Sequence, residues 1–107
     1  MAWFLLILAG VCEVGFTTAL KLSEGFSKWT YTVLFLIFAS ASFLLLAKAT
    51  ETIPIGTGYA VWTGIGAFGT ALIGILFFKE SADFWRIFFL VMLIGSIIGL
   101  KFVSKTP

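Results

Sequence analysis

The sequence predicts an all-α integral membrane protein with four transmembrane helices in each chain. The 107 residues are 61% hydrophobic and only 11% charged, which is too apolar for a soluble globular domain. Polar segments divide the chain into four apolar runs, and each run has about the 20 residues that a helix needs to cross a bilayer. Aromatic residues that favour the membrane interface lie near the run ends, namely Trp3, Trp29, Tyr31 and Trp85.

The four runs form one predicted domain of residues 1–107. The predicted spans cover residues 2–20, 29–47, 55–78 and 84–103. Short polar connections join them into up-down hairpins, so both termini lie on one side of the membrane. The first run lacks a preceding basic stretch and has an acid at its centre, so we expect a retained span and not a cleaved signal peptide.

The centre of the first run carries Glu13, the only acid that lies deep in any span. A charge at that depth costs about 2.5–3.5 kcal/mol on insertion scales, so an intramembrane acid indicates a functional site. On a helix, residues three and four positions away share its face, and here these are Ala9, Gly10, Phe16 and Thr17. The two small residues allow close approach, and the Phe16 ring offers a π-face to a cation.

The second and third runs supply candidate partners for the acid. Tyr59, Trp62 and Thr63 lie at helical spacing inside the third span, where the polar hydrogens of Tyr and Trp need acceptors. Ser40 and Ser42 lie in the second span, but serines in membrane helices often bond to their own backbone.

Two glycine patterns have different readings. Gly64, Gly66 and Gly69 match G-x-G-x-x-G, but no strand precedes them, so we reject a dinucleotide site and predict a groove or a conformational hinge. Gly95 and Gly99 form G-x-x-x-G in the fourth span, which favours helix pairing and predicts a dimer-packing face.

Basic residues do not fix the orientation of the chain. Lys21, Lys28, Lys79 and Arg86 would lie on one side of the membrane, against Lys48, Lys101 and Lys105 on the other. Four against three is too even for the positive-inside rule. Dual insertion is therefore predicted, with two copies pairing antiparallel. The basic residues are scattered at span ends, so the net charge of +2 does not indicate a nucleic-acid partner.

A carboxyl group in a poorly solvated cavity is disfavoured as a bare charge, so Glu13 would hold either a proton or a cation. Exchange follows if the site opens to one side at a time. A planar guanidinium suits the site because it can donate paired, parallel N–H bonds to carboxylate oxygens. Quaternary ammonium ions would instead depend on charge and aromatic faces.

The run from Pro54 to Ala67, together with the membrane acid and four short spans, resembles the small multidrug resistance family over essentially the whole chain. The stretch from Trp62 to Gly66 is similar to the guanidinium-exporter branch. The resemblance implies an antiparallel homodimer in the bacterial inner membrane, in which both copies of Glu13 exchange protons for a small organic cation. It also implies site roles for Gly10, Ser42, Tyr59 and Trp62.

The guanidinium branch usually has Trp at the position of Phe16, so a broader range that includes quaternary ammonium ions is an alternative. A passive cation channel and a rotary proton-carrying subunit are further alternatives. The chain has no His, no nucleophile–base pair and no cluster of metal ligands, so we expect no enzyme, no metal and no cofactor, with protons as the coupling ion.

Overall fold

A computed structural model describes residues 1–103, so the tail that contains Lys105 lies outside the described residues. The four helices are α1 (Ala2–Leu22), α2 (Trp29–Ala49), α3 (Ile55–Phe77) and α4 (Phe84–Val103). All four are long and apolar enough to cross a membrane, which confirms the predicted all-α class with four spanning helices. Compared with the predicted spans, α1 and α2 continue two residues further and α3 ends one residue earlier. The single domain stays a prediction.

The starts of α3 and α4 follow from two residue types that suit helix N-termini. Pro54 precedes α3, and its carbonyl accepts the N–H of Gly58 at 2.8 Å. Asp83 precedes α4, and its Oδ1 accepts the backbone N–H of Arg86 at 2.9 Å. That bond, with a second from the Ser81 hydroxyl, holds the pKa of Asp83 below its ordinary value.

The turn from α1 to α2 depends on the buried Ser23. Three consecutive residues after it have positive φ, at 50° for Glu24, 74° for Gly25 and 67° for Phe26. The Ser23 hydroxyl accepts the N–H of Phe26 at 3.1 Å and donates to the Leu20 carbonyl at 2.7 Å. These bonds tie the unusual turn to the last turn of α1.

The helix α1 lies at the centre of the fold, packed against both α2 and α3, whereas α4 packs mainly on α3. The hydrophobic core lies towards the N-terminal end of α1, and it includes Leu6 and Ala9, both fully buried, with Ile53 and Val61. No residue of α4 is buried within the described chain. The three helices that surround the core are therefore α1, α2 and α3.

The glycines of α3 lie where other helices approach most closely. A Cβ on Gly64 would meet the Ile97 side chain of α4 at 2.7 Å. On the opposite side of α3, a Cβ on Gly66 would overlap the Glu13 carboxyl group and one on Gly69 would overlap Val14. The helix α3 therefore lies between α1 and α4 and packs closely against both through its glycines.

We predict that Gly69→Ala destabilises the fold by about 1–3 kcal/mol, because Val14 is β-branched and cannot rotate away easily. The matched control is Gly56→Ala in the same helix, where a Cβ meets open space. The measurement is unfolding in detergent by SDS titration. Equal effects of the two changes would contradict the close α1–α3 contact.

Candidate binding site

The candidate site is built on Glu13, whose side chain projects from α1 onto α3. Its carboxyl group occupies the space that a side chain on Gly66 would fill. The Oε1 atom is buried and has no hydrogen-bond partner among residues 1–103. The absence of a side chain at position 66 is therefore what admits the acid between these two helices.

A hydrogen-bonded bridge connects three helices one turn from the acid. The Ser42 hydroxyl of α2 donates to the Ala9 carbonyl of α1 at 2.7 Å and accepts the Trp62 indole N–H of α3 at 2.8 Å. Ser42 is fully buried and Trp62 is 7% exposed. Ala9 lies four residues before Glu13 on α1, and Trp62 lies four residues before Gly66 on α3. Four residues correspond to about 6 Å along each of these parallel helices.

A second polar link lies on the other side of the acid. The Thr17 and Thr70 hydroxyls are 2.7 Å apart, and Thr17 also donates to the backbone carbonyl of Glu13 at 3.0 Å. Thr17 lies four residues after Glu13 on α1, and Thr70 lies four residues after Gly66 on α3. The contact between the acid and its glycine is thus flanked by a polar bridge on each side.

Aromatic rings form a row beside the bridge. The centroid of the Trp62 ring lies 5.7 Å from Tyr59 and 5.4 Å from Phe43, and Phe43 stacks on Phe16 at 6.2 Å. Tyr59 is 56% exposed and Phe43 is 54% exposed in the single chain. Two members of this aromatic row are therefore accessible in the single chain.

Of the remaining sequence-predicted residues, Gly10 lies in the same contact between α1 and α3, and the others lie outside it. Thr63 is exposed, because it is one position further round α3 than Trp62. Gly10 packs against Ile65 of α3, where a Cβ would meet the isoleucine at 2.7 Å. Gly95 and Gly99 have open space where a side chain would be. They lie on α4, away from the acid.

Sequence reasoning missed two participants, Thr70 and Phe43. Thr70 has a recognisable signal, since it follows Gly66 by four residues as Thr17 follows Glu13. Phe43 has no such signal, because phenylalanine is common on lipid-facing surfaces and 13 are present in the chain. Its place in the aromatic row depends on how α2 is rotated.

Chemically, the site combines one carboxyl oxygen without a donor, a fixed indole and accessible aromatic faces. A buried carboxylate is stabilised by a proton or by a cation that brings N–H donors. In a helical bundle whose four helices can cross a bilayer, this arrangement indicates a membrane protein with an unpartnered buried acid, and such an acid is a candidate cation or proton site.

Comparison with known proteins identifies the family to which the chain is similar. The family model described as Small Multidrug Resistance protein matches residues 1–94. The guanidinium exporter of Yersinia pestis is 49% identical over 104 residues, which is 97% of this chain and all of that protein. The probable guanidinium efflux system subunit GdnD of Bacillus licheniformis is 46% identical over the same shares. The guanidinium exporter of Escherichia coli K12 is 45% identical over 101 residues, 94% of this chain and 96% of that protein.

The chain belongs to the small multidrug resistance family, which confirms the resemblance predicted from the sequence. It is a multi-pass transporter of the bacterial inner membrane, and its relatives carry names of exporters.

We predict that Ser42→Ala destabilises the chain by about 1–2 kcal/mol, because the indole N–H of Trp62 loses its buried acceptor. The freed indole should also shift its fluorescence emission. Ser40→Ala, at an exposed position of the same helix, is the control. The measurements are unfolding in detergent and tryptophan emission, and equal responses of the two variants would refute the bridge.

Proposed function

We propose that the protein is a proton-coupled antiporter that exports small organic cations, with guanidinium and small substituted guanidines as the principal substrates. Glu13 binds either protons or substrate, and the site opens to one side of the membrane at a time. Protons moving inward then drive the cation outward.

The observation that carries this proposal is the buried Oε1 of Glu13, which has no donor among the described residues. A permanently ionised acid in a structural role would have a cationic partner inside the protein. Among residues 1–103, the ion pairs are formed by other acids, all near helix ends. Glu13 is therefore available to a ligand that arrives and leaves.

Two arguments support guanidinium as the substrate: its chemistry matches the site, and related proteins are named guanidinium exporters. A planar guanidinium can donate two parallel N–H bonds to the carboxylate of Glu13 while its face stacks on an aromatic ring. Trp62 is held in one orientation by Ser42, so its ring is a fixed wall. Relatives that cover nearly the whole chain are named guanidinium exporters, which supports the same substrate here.

Quaternary ammonium ions are a second candidate class, favoured by the row formed by Phe16, Phe43, Trp62 and Tyr59. Such ions cannot donate N–H bonds, but they are attracted to aromatic faces. The Phe16 side chain contributes a ring without a hydrogen-bond donor. This composition suits alkylated cations as well as guanidinium.

Alternating access is proposed to require a second copy in inverted orientation. In one chain, the ring faces near Glu13 are partly open, and a partner chain would close the site and contribute a second Glu13. A Cβ on Gly95 or Gly99 of α4 would meet no atom of another element of residues 1–103 within 4 Å, so we propose that this stripe of α4 packs against the partner. We assign the conformational bending to Gly64, Gly66 and Gly69 of α3.

We predict that Glu13→Gln abolishes proton-coupled transport, because an amide cannot exchange a proton for a cation. The measurement is the current from reconstituted protein on a solid-supported membrane, with guanidinium, its alkyl derivatives and tetramethylammonium offered in turn. Glu51→Gln, at an exposed acid in the turn after α2, should leave the current unchanged.

The same preparation distinguishes the alternatives. A proton gradient alone should drive guanidinium uphill, which a passive channel cannot do. Currents with tetramethylammonium as large as those with guanidinium would establish the broader range instead. Normal exchange by the Glu13→Gln variant would remove the acid from the mechanism.

We also predict that Gly99→Leu weakens the dimer about tenfold, because a large side chain separates the two α4 helices. The equilibrium is measured by fluorescence energy transfer between labelled chains in detergent. Gly56→Leu adds the same side chain in open space on α3 and should not change it. Equal dimer stability in both variants would place the interface elsewhere.

A further inference from the structure

An apolar groove of about 390 Å³ lies between α1, α3 and α4, on a different part of the molecule from the acid. Ile7 lies on the α1 side, Val61 and Ile65 on the α3 side, and Ile97 and Ile98 on the α4 side. The walls are branched aliphatic side chains, which is the surface that a hydrocarbon chain contacts well.

One end of the groove carries a positive charge. Lys101 and Trp3 both line it, and the Lys101 ammonium lies 5.1 Å from the centroid of the Trp3 ring. Trp3 is at the start of α1 and Lys101 is near the end of α4, so both lie at the same edge of the membrane. The salt bridges within residues 1–103 do not include Lys101. A cation beside an interfacial tryptophan is placed at headgroup depth.

We propose that this groove is a binding site for an anionic phospholipid, with one acyl chain in the groove and the headgroup phosphate against Lys101. The inference does not depend on the transport function proposed above.

The dimensions suit that occupant. From Lys101 the groove extends along α4 to Ile94, seven residues deeper, which is about 10 Å. One leaflet of the hydrocarbon core is about 15 Å thick, so the groove covers most of the path of one acyl chain. A phosphate at the membrane surface then lies at the height of the Lys101 ammonium, which attracts an anionic headgroup.

This groove differs from a second groove on the molecule in the charge of its lining. The second groove has a volume of about 300 Å³ and is lined by α1, α2 and α3 residues such as Gly15, Phe38 and Ile73. Within residues 1–103, no lysine or arginine lines it. The preference for an anionic headgroup therefore belongs to the groove at Lys101.

The groove also differs from the proposed dimer face. At about 100° per residue, the α4 residues that line the groove extend from Ile97, about 60° on one side of Ile94, to Phe102, about 80° on the other. Gly95 and Gly99 lie about 100–140° from Ile94. A second copy packed on the glycines would border the groove at Phe102, about 20° from Gly95, and would leave the side of the groove at Ile97 and Lys101 facing lipid.

The test counts retained lipids by native mass spectrometry. Protein is extracted from bilayers with equal amounts of dioleoyl phosphatidylglycerol and dioleoyl phosphatidylcholine, which have the same acyl chains. We expect about a fivefold preference for phosphatidylglycerol, the equivalent of about 1 kcal/mol. Lys101→Gln should remove this preference, and Lys79→Gln, at an exposed lysine that does not line the groove, should keep it.

A second variant tests the acyl-chain part of the site. Ile98 lines the groove and is half-exposed, so Ile98→Trp should fill it without disturbing the core and should lower retention of both lipids. Equal losses in Lys101→Gln and Lys79→Gln would overturn the proposal. So would an Ile98→Trp variant that retains lipid normally but dimerises less, because the groove would then belong to the contact between copies.

Discussion

The contact between the Glu13 carboxyl group and the bare backbone of Gly66 is the constraint on which the rest of the structure depends. An acid in the middle of a membrane helix has to be shielded from lipid, and the ligand-binding role proposed for it requires an oxygen that no protein donor occupies. The glycine meets the first requirement by letting α3 approach α1 closely. The unpartnered Oε1 meets the second, since no donor in the described chain occupies it.

The polar bridges on either side of this contact compensate for the lack of a hydrophobic drive between membrane helices. Lipid tails are as apolar as leucine, so helices associate through close packing and hydrogen bonds. The Ser42 bridge joins α1, α2 and α3, and the Thr17–Thr70 pair joins α1 and α3 again. Neither bridge uses the carboxyl group, so the acid is positioned without receiving a hydrogen bond from either one.

The sequence predicted the four helices well, because they depend on length and hydropathy, and the cost of a buried charge singled out Glu13 as the candidate site. It also placed Ser42 and Trp62 near the acid through the resemblance, and the structure shows them bonded to one another. The exposed position of Thr63 and the part of Phe43 in the aromatic row were not predictable. They depend on how α2 and α3 are rotated about their axes, which spacing along one helix does not determine.

The peripheral position of α4 has a consequence for the order of assembly. Chains are synthesised from the N-terminus, so α1, α2 and α3 leave the ribosome before α4. The bridge of Ser42, the threonine pair and the glycine contact of Glu13 all lie within those first three helices. The contacts of the acid therefore involve only helices that leave the ribosome before α4, and α4 packs on the opposite side of α3.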